Sequence, residues 1–184
     1  DARASWRSAV ADFAAARALD ERHAEAMRWC GQARLKLATA EFLRGADARR
    51  EYREAIADLD AAIAAAPDQG LLRSQRADAW LSLTNALQRA GAPVDEAMAR
   101  GVAALQEAVR LGHHAAWWSL ARAYAGMARY DEAIAAYEEY ARRAPAEAER
   151  VRAAADDLRA RARLAREAWA AALDEGSNRL RAGD

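Results

Sequence analysis

The sequence predicts an all-α protein, an α-solenoid of helical hairpins. Composition, sparse chain breakers and an internal repeat predict it. Of 184 residues, 56 are Ala; with Leu, Arg and Glu these are strong helix formers, while β-branched residues are scarce. Nine Gly and three Pro are few enough to be read as punctuation. The repeat has a period of 46: Trp6-x-x-Ala9-Val10-x-x-Phe13-x-x-Ala16 aligns with Tyr52-x-x-Ala55-Ile56-x-x-Leu59-x-x-Ala62-Ile63 and with Met98-x-x-Gly101-Val102-x-x-Leu105-x-x-Ala108-Val109. A further copy, Tyr130-x-x-Ala133-Ile134-x-x-Tyr137, follows 32 residues later. Apolar letters at three- and four-residue steps share one stripe of a helix, and small residues at fixed places let a neighbouring helix approach.

Each element follows in order. A helix over 4–18 carries the first copy without a hairpin partner before it. Helices over 24–43 and 48–65 form a pair that turns at Gly45-Ala46-Asp47 and closes at Pro67. A second pair, 71–90 and 94–111, turns at Gly91-Ala92-Pro93, restarts on Asp95 and stops at Gly112. The third pair, 114–127 and 131–143, restarts on Asp131 and ends before Pro145. A last helix over 146–174 carries Val151, Ala155, Leu158, Ala162, Ala165, Trp169 and Ala172 at alternating steps of four and three. It is expected to cover the open end of the stack, with the chain fraying beyond Gly176.

The third pair reads Trp117-x-x-Leu120-Ala121-x-x-Tyr124, then Ala133-x-x-x-Tyr137, then Pro145. This spacing resembles the tetratricopeptide repeat (TPR), whose pattern runs Trp, Leu-Gly, Tyr, Ala, Phe, Pro. The pair departs from it in Ala121 at the Gly place and Tyr140 at a place that is usually small. The first pair keeps Cys30-Gly31 and Pro67 but has Met27 for the Trp and Arg34 for the Tyr; the second keeps Ala77 and Trp80 but puts Arg73 and Arg76 at apolar places. Both are longer than the standard 34 residues by about twelve. The connection Leu111-Gly112-His113-His114-Ala115 is short and similar to the linkers of Sel1-like repeats. The resemblance implies a right-handed α-solenoid of about 3.5 TPR-like helix-turn-helix repeats with a C-terminal capping helix. Residues 1–145 are the array, with a half repeat 4–20 and repeats 22–67, 68–112 and 114–145; residues 146–184 are the amphipathic capping helix and a frayed tail.

Lys+Arg and Asp+Glu are balanced at 28 each, so the basic footprint of a nucleic-acid or anionic-membrane binder is missing. No apolar run reaches membrane-spanning length. The chain begins Asp1-Ala2-Arg3 without Met or a signal-like segment and is read as a processed form or fragment. The lone Cys30 fits a reducing compartment, and the expected location is the cytoplasm.

Chemistry finds little purchase. His113 and His114 are adjacent, hence about 100° apart on a helix, and have no ligand-spaced partners, so they read as linker residues, as does His23. Cys30 occupies a packing place and has no identifiable base. The pairs Asp95-Glu96, Asp131-Glu132 and Asp156-Asp157 sit at helix starts or on a solvated face. Phosphate loop, GxSxG and HExxH are absent; no enzyme, cofactor or metal is expected. Of six Trp, Trp6, Trp80, Trp117 and Trp169 read as core, whereas Trp118 points toward the groove.

What the resemblance implies about function is a concave groove made by the first helix of each pair. Carried over by alignment, it is lined by Arg28, Gln32, Leu35 and Lys36, then Ser74, Asp78, Leu81 and Ser82, then Trp118 and Arg122. The expected occupant is a peptide or helical segment of another protein, with Arg28, Lys36 and Arg122 suited to an acidic stretch or a C-terminal carboxylate. Two alternatives stay open: a regulatory or accessory region of a larger bacterial protein, such as a kinase-linked array, and a self-associating solenoid forming a homodimer.

Overall fold

The structure is a computed structural model that describes residues 2–19 and 23–182. Eight α-helices follow one another, and no strand occurs among the described residues. By its contacts the chain divides into two compact units, Asp1–Ala116 and Trp117–Asp184.

The first unit contains α1 (Ala2–Leu19), α2 (Ala24–Leu43), α3 (Arg49–Ala65), α4 (Gly70–Arg89) and α5 (Asp95–Arg110). Each packs on the next, and α2 also touches α4, the adjacency of first helices that stacked hairpins require. Helix starts and stops follow the sequence punctuation. His23 caps α2, its Nδ1 accepting from the Ala26 amide at 3.1 Å. Gly45, Gly91 and Gly112 all have positive φ, the left-handed conformation that ends helices most easily at glycine.

Within the two long hairpins the 46-residue period holds in contact detail. A Cβ added to Gly31 would lie 2.8 Å from Leu59 Cγ and 3.2 Å from the Ala55 carbonyl. In the next hairpin the equivalent places are Ala77, Leu105 and Gly101, and a Cβ on Gly101 would meet Leu81 Cδ2 at 3.0 Å. Each crossing therefore holds one Gly and one Ala, with the Gly on opposite helices in the two hairpins. Leu35, the equivalent of Leu81, is buried in one core cluster with Ala55, Tyr52 and Leu83.

Charged residues at apolar places of the pattern are explained by their partners. Arg34 Nη1 reaches Glu54 at 2.6 Å and its Nε donates to Asp58 at 3.0 Å. Forty-six residues on, the same two places hold Trp80 and Arg100, and the Arg100 guanidinium lies 5.2 Å from the Trp80 ring centre, so an ion pair is replaced by a cation–π contact. Met27 joins a buried cluster with Ala62 and Leu72, against which Ala61 packs. Its equivalent Arg73 is 8% exposed and lies 3.1 Å from Glu107, the equivalent of Ala61. Arg76 adds contacts to Asp60 at 2.9 Å and Glu107 at 3.6 Å.

The second unit contains α7 (Tyr130–Arg143), a short 3-10 turn (Pro145–Glu147), α8 (Ala148–Ala182) and all but the first residue of α6 (Ala116–Gly126). The α6–α7 turn is closed by Ala128 with φ 56°. Acidic Asp131 and Glu132 lie in the first turn of α7, and Arg142 and Arg143 in its last, matching the helix dipole. Val151, Ala155, Leu158 and Ala162 of α8 are buried, and α8 packs on α7. The helix runs to Ala182 instead of ending at 174, because one unpatterned Gly176 is a weak breaker inside an otherwise helix-forming stretch.

The crossing geometry gives two expectations. Gly31→Ala lowers stability by about 1–2 kcal/mol, because the branching carbon of Leu59 and a backbone carbonyl must move. Gly101→Ala costs less, within about 1 kcal/mol of neutral, since Leu81 Cδ2 at 3.0 Å and Cγ at 3.1 Å must give by a few tenths of an ångström with no backbone atom among the nearest contacts, and Ala is favoured by about 1 kcal/mol in a helix. Urea melts of the two variants, run together, check the ordering. In a second series, Glu107→Ala costs about 2–3 kcal/mol by leaving Arg73 buried without a counter-charge. The double change Arg73→Met, Glu107→Ala recovers most of that loss, because it recreates the Met27–Ala61 arrangement.

Candidate functional site

The groove positions separate into three groups. Leu35 and Leu81 do not line it: both turn into their own hairpins, Leu35 at 7% exposure and Leu81 against Gly101. The alignment places them one residue beyond the position corresponding to the pattern's Tyr, on the side of the first helix that faces the second. Ser74 is also withdrawn, at 8% exposure. Its equivalent Arg28 pairs with Glu25 and lies over the Trp29 ring at 4.0 Å from its centre, so its guanidinium is already engaged. The accessible rows in the first unit are thus Gln32 with Asp78 and Lys36 with Ser82; Lys36 and Asp78 are exposed and the other two half-buried.

In the second unit Trp118 is half-buried. Its ring meets Tyr137 edge-on at 5.0 Å and Tyr140 at 5.7 Å between centres. Trp118 therefore packs against α7 more than it faces outward, and the reason is Tyr140: a phenol ring at a place the pattern keeps small reaches across to the indole. Arg150 of α8 then covers the ring at 4.7 Å while pairing with Glu147 at 2.8 Å. Arg122 is exposed. Burial pushes the Tyr137 hydroxyl up from its ordinary value, with Arg122 and Arg150 opposing. The result is an aromatic floor of Trp118, Tyr137 and Tyr140 flanked by Arg122 and Arg150. Sequence reasoning missed Arg150, and Tyr140 was visible only as a departure from the pattern.

Other aromatic expectations need correcting. Trp6 is 37% exposed and Trp169 68% exposed, so neither is core: Trp6 lies on α1, most of whose residues around it are exposed, and Trp169 lies on a part of α8 where neighbouring residues are also exposed. Trp29, at 44% exposure, stacks with Phe13 at 6.4 Å. Cys30 is 1% exposed, and burial, with Asp58 nearby, pushes its thiol up. Burial together with the neighbouring His114 lowers His113 from its ordinary value. Among the described residues no group of three or more His, Cys, Asp or Glu is placed to hold a metal ion, and no helix is long and apolar enough to cross a membrane.

Consecutive helical hairpins with paired small residues at their crossings define an all-α protein of TPR-like solenoid fold. The solved structures that share it include TTC0263, a thermophilic TPR protein of Thermus thermophilus, at 20% identity over 81% of this chain and 70% of that one, with a TM-score of 0.63. A structure of MamA protein matches at 18% identity over 97% and 86%, TM-score 0.54, and a second MamA structure at 20% over 90% and 91%, TM-score 0.50. No protein-family model matches the sequence, and no curated protein does.

The burial of Cys30 predicts its chemistry. A disulfide reagent at neutral pH should modify the native thiol at least about 100-fold more slowly than the urea-unfolded one, because the raised pKa lowers the thiolate fraction and access requires local opening. Rates measured by absorbance in the two states check this; equal rates would place Cys30 at the surface.

Proposed function

We propose that the chain is a protein–protein interaction module that receives a peptide or helical segment of a partner on the first-helix faces of its repeats, with a preference for acidic sequences or a C-terminal carboxylate. One observation carries the reading. Across α2 and α4 the positions inside the hairpins recur with the 46-residue period, Leu35 with Leu81 and Gly31 with Ala77, while the accessible rows change from Gln32 and Lys36 to Asp78 and Ser82. Packing accounts for the recurring positions, and the varied polar rows are available for recognition.

The charge preference rests on Lys36 in one unit and Arg122 in the other, each exposed and without an ion pair among the described residues. A guanidinium beside the Trp118–Tyr140 floor suits a carboxylate followed by an apolar side chain, since Arg matches carboxylate geometry and aromatic rings supply contact area. Arg28 is not an anchor in this reading, because Glu25 and Trp29 already hold it.

The test is an array of synthetic peptides, acidic, neutral and basic, each with a free or amidated C-terminus, probed with the parent and with Lys36→Glu and Arg122→Glu. Acidic peptides should bind the parent, and each reversal should weaken the complexes that use its unit by about 5- to 10-fold. Binding that ignores peptide charge, or that neither reversal changes, would sink the proposal.

A further inference from the structure

The aromatic floor of the second unit holds a polar atom that the fold around it does not use. Tyr137 of α7 is 6% exposed and its ring is set edge-on against Trp118 with 5.0 Å between centres. Burial and neighbouring charges act on its hydroxyl, and no hydrogen bond does. Packing accounts for the ring, yet a phenylalanine, which the repeat pattern prefers at this place, would fill the same space. The extra oxygen is unexplained by the interior, because the hydroxyl of a buried tyrosine ordinarily finds a partner.

Two guanidiniums belong to the same corner. Arg122 lies one turn beyond Trp118 on α6, so the two share a face; it is exposed, and α6 carries no carboxylate of its own. Arg150 of α8 lies over the Trp118 ring at 4.7 Å from its centre. Both are near enough to oppose the effect of burial on the Tyr137 hydroxyl, so three donor groups gather at one edge of the floor. Burial still wins and holds the phenol above its ordinary pKa, which keeps on it the proton that it can donate. The carboxylate already present is Glu147 of the 3-10 turn, paired with Arg150 at 2.8 Å while the Arg150 and Glu147 side chains are 63% and 41% exposed. A pair this exposed contributes little and exchanges readily.

We propose that the Tyr137 hydroxyl, Arg122 and Arg150 form one seat for a carboxylate of the bound partner, and that Glu147 is the internal carboxylate which this ligand displaces from Arg150. The apolar residue beside the ligand carboxylate lies on the Trp118–Tyr140 floor. The inference rests on the peptide-binding reading and goes beyond it, because it places recognition on α7 and α8 as well as on a first-helix face. The donor set matches the ligand: two carboxylate oxygens accept several hydrogen bonds, and here one neutral O–H and two cations supply them. Glu147 shows the same preference within the chain, as an acidic side chain that reaches one of the three donors.

The experiment is an NMR titration of the full chain with N-acetylated hexapeptides, Ala-Ala-Glu-Leu-Ala-Ala and Ala-Ala-Gln-Leu-Ala-Ala, each with a free or an amidated C-terminus. The parent should favour peptides that carry a carboxylate; comparing the amidated Glu peptide with the free-ended Gln peptide shows whether a side chain or the chain end supplies it, and either source supports the seat. Tyr137→Phe, which keeps the ring and should leave helicity by circular dichroism unchanged, should weaken the preferred peptide about 10-fold, and Arg150→Gln by a similar factor. Neither should change binding of the amidated Gln peptide, whereas a general loss of packing would weaken that peptide too. Glu147→Gln should strengthen the preferred peptide about 3-fold by freeing Arg150. Carboxylate peptides that bind the parent but ignore both Tyr137→Phe and Arg150→Gln overturn the seat and leave the peptide-binding reading in place. Weaker binding by Glu147→Gln overturns the displacement. A parent that shows no preference for a carboxylate removes the charge preference itself, and the seat with it.

Discussion

Close approach of two helix backbones is the constraint on which the long hairpins depend. At Gly31 the neighbouring helix leaves 2.8 Å for a Cβ, so the crossing is set by the absence of one methyl group rather than by any strong attraction. The second hairpin meets the same condition with the glycine moved to the partner helix, as Gly101 beneath Leu81. What the repeat keeps constant is therefore a summed side-chain volume at the crossing, and either helix supplies the reduction. Once the backbones are this close, Leu35 and Leu59 are enclosed, and the outer rows of α2 and α4 are left to vary.

The same geometry explains how charge is tolerated at packing places. Arg34 in place of an aromatic residue is held by Glu54 and Asp58, and Arg73 in place of Met is answered by Glu107 where its counterpart hairpin has Ala61. A buried ion pair of this kind adds little net stability over an apolar pair, because desolvation consumes most of the Coulomb attraction. Its effect lies in the penalty for separating the partners. Trp80 and Arg100 show a third solution at an equivalent place, with the cation moved to the other helix and an aromatic face accepting it.

Much of this fold was legible in the sequence, because helices built on a recurring stripe announce themselves through period and punctuation. Gly45, Gly91 and Gly112 mark the turns with positive φ, and the buried stripe of α8 begins at Val151 as the pattern indicates. The candidate site was less legible. Leu35 and Leu81 look accessible by alignment, but their exposure depends on how tightly each hairpin closes, which a one-dimensional pattern does not carry. Trp118 was misjudged because its burial comes from Tyr140 and Arg150, residues more than twenty positions away on two other helices. Trp169 was misjudged because periodicity shows that a stripe exists and says nothing about where its cover stops.

The paired substitutions within the two long hairpins also bear on how the chain avoids misassembly. Hairpins of equal length and matching pattern invite exchange, in which the first helix of one docks onto the second helix of the other during folding or between neighbouring molecules. An exchanged α4 would set Arg73 against Ala61, and an exchanged α2 would leave Glu107 facing Met27; each places a charge in an apolar contact without its counter-ion. Only the assembly in which α2 meets α3 and α4 meets α5 satisfies both. The charges at these otherwise apolar places thus act as an address, making two nearly interchangeable parts distinguishable to one another.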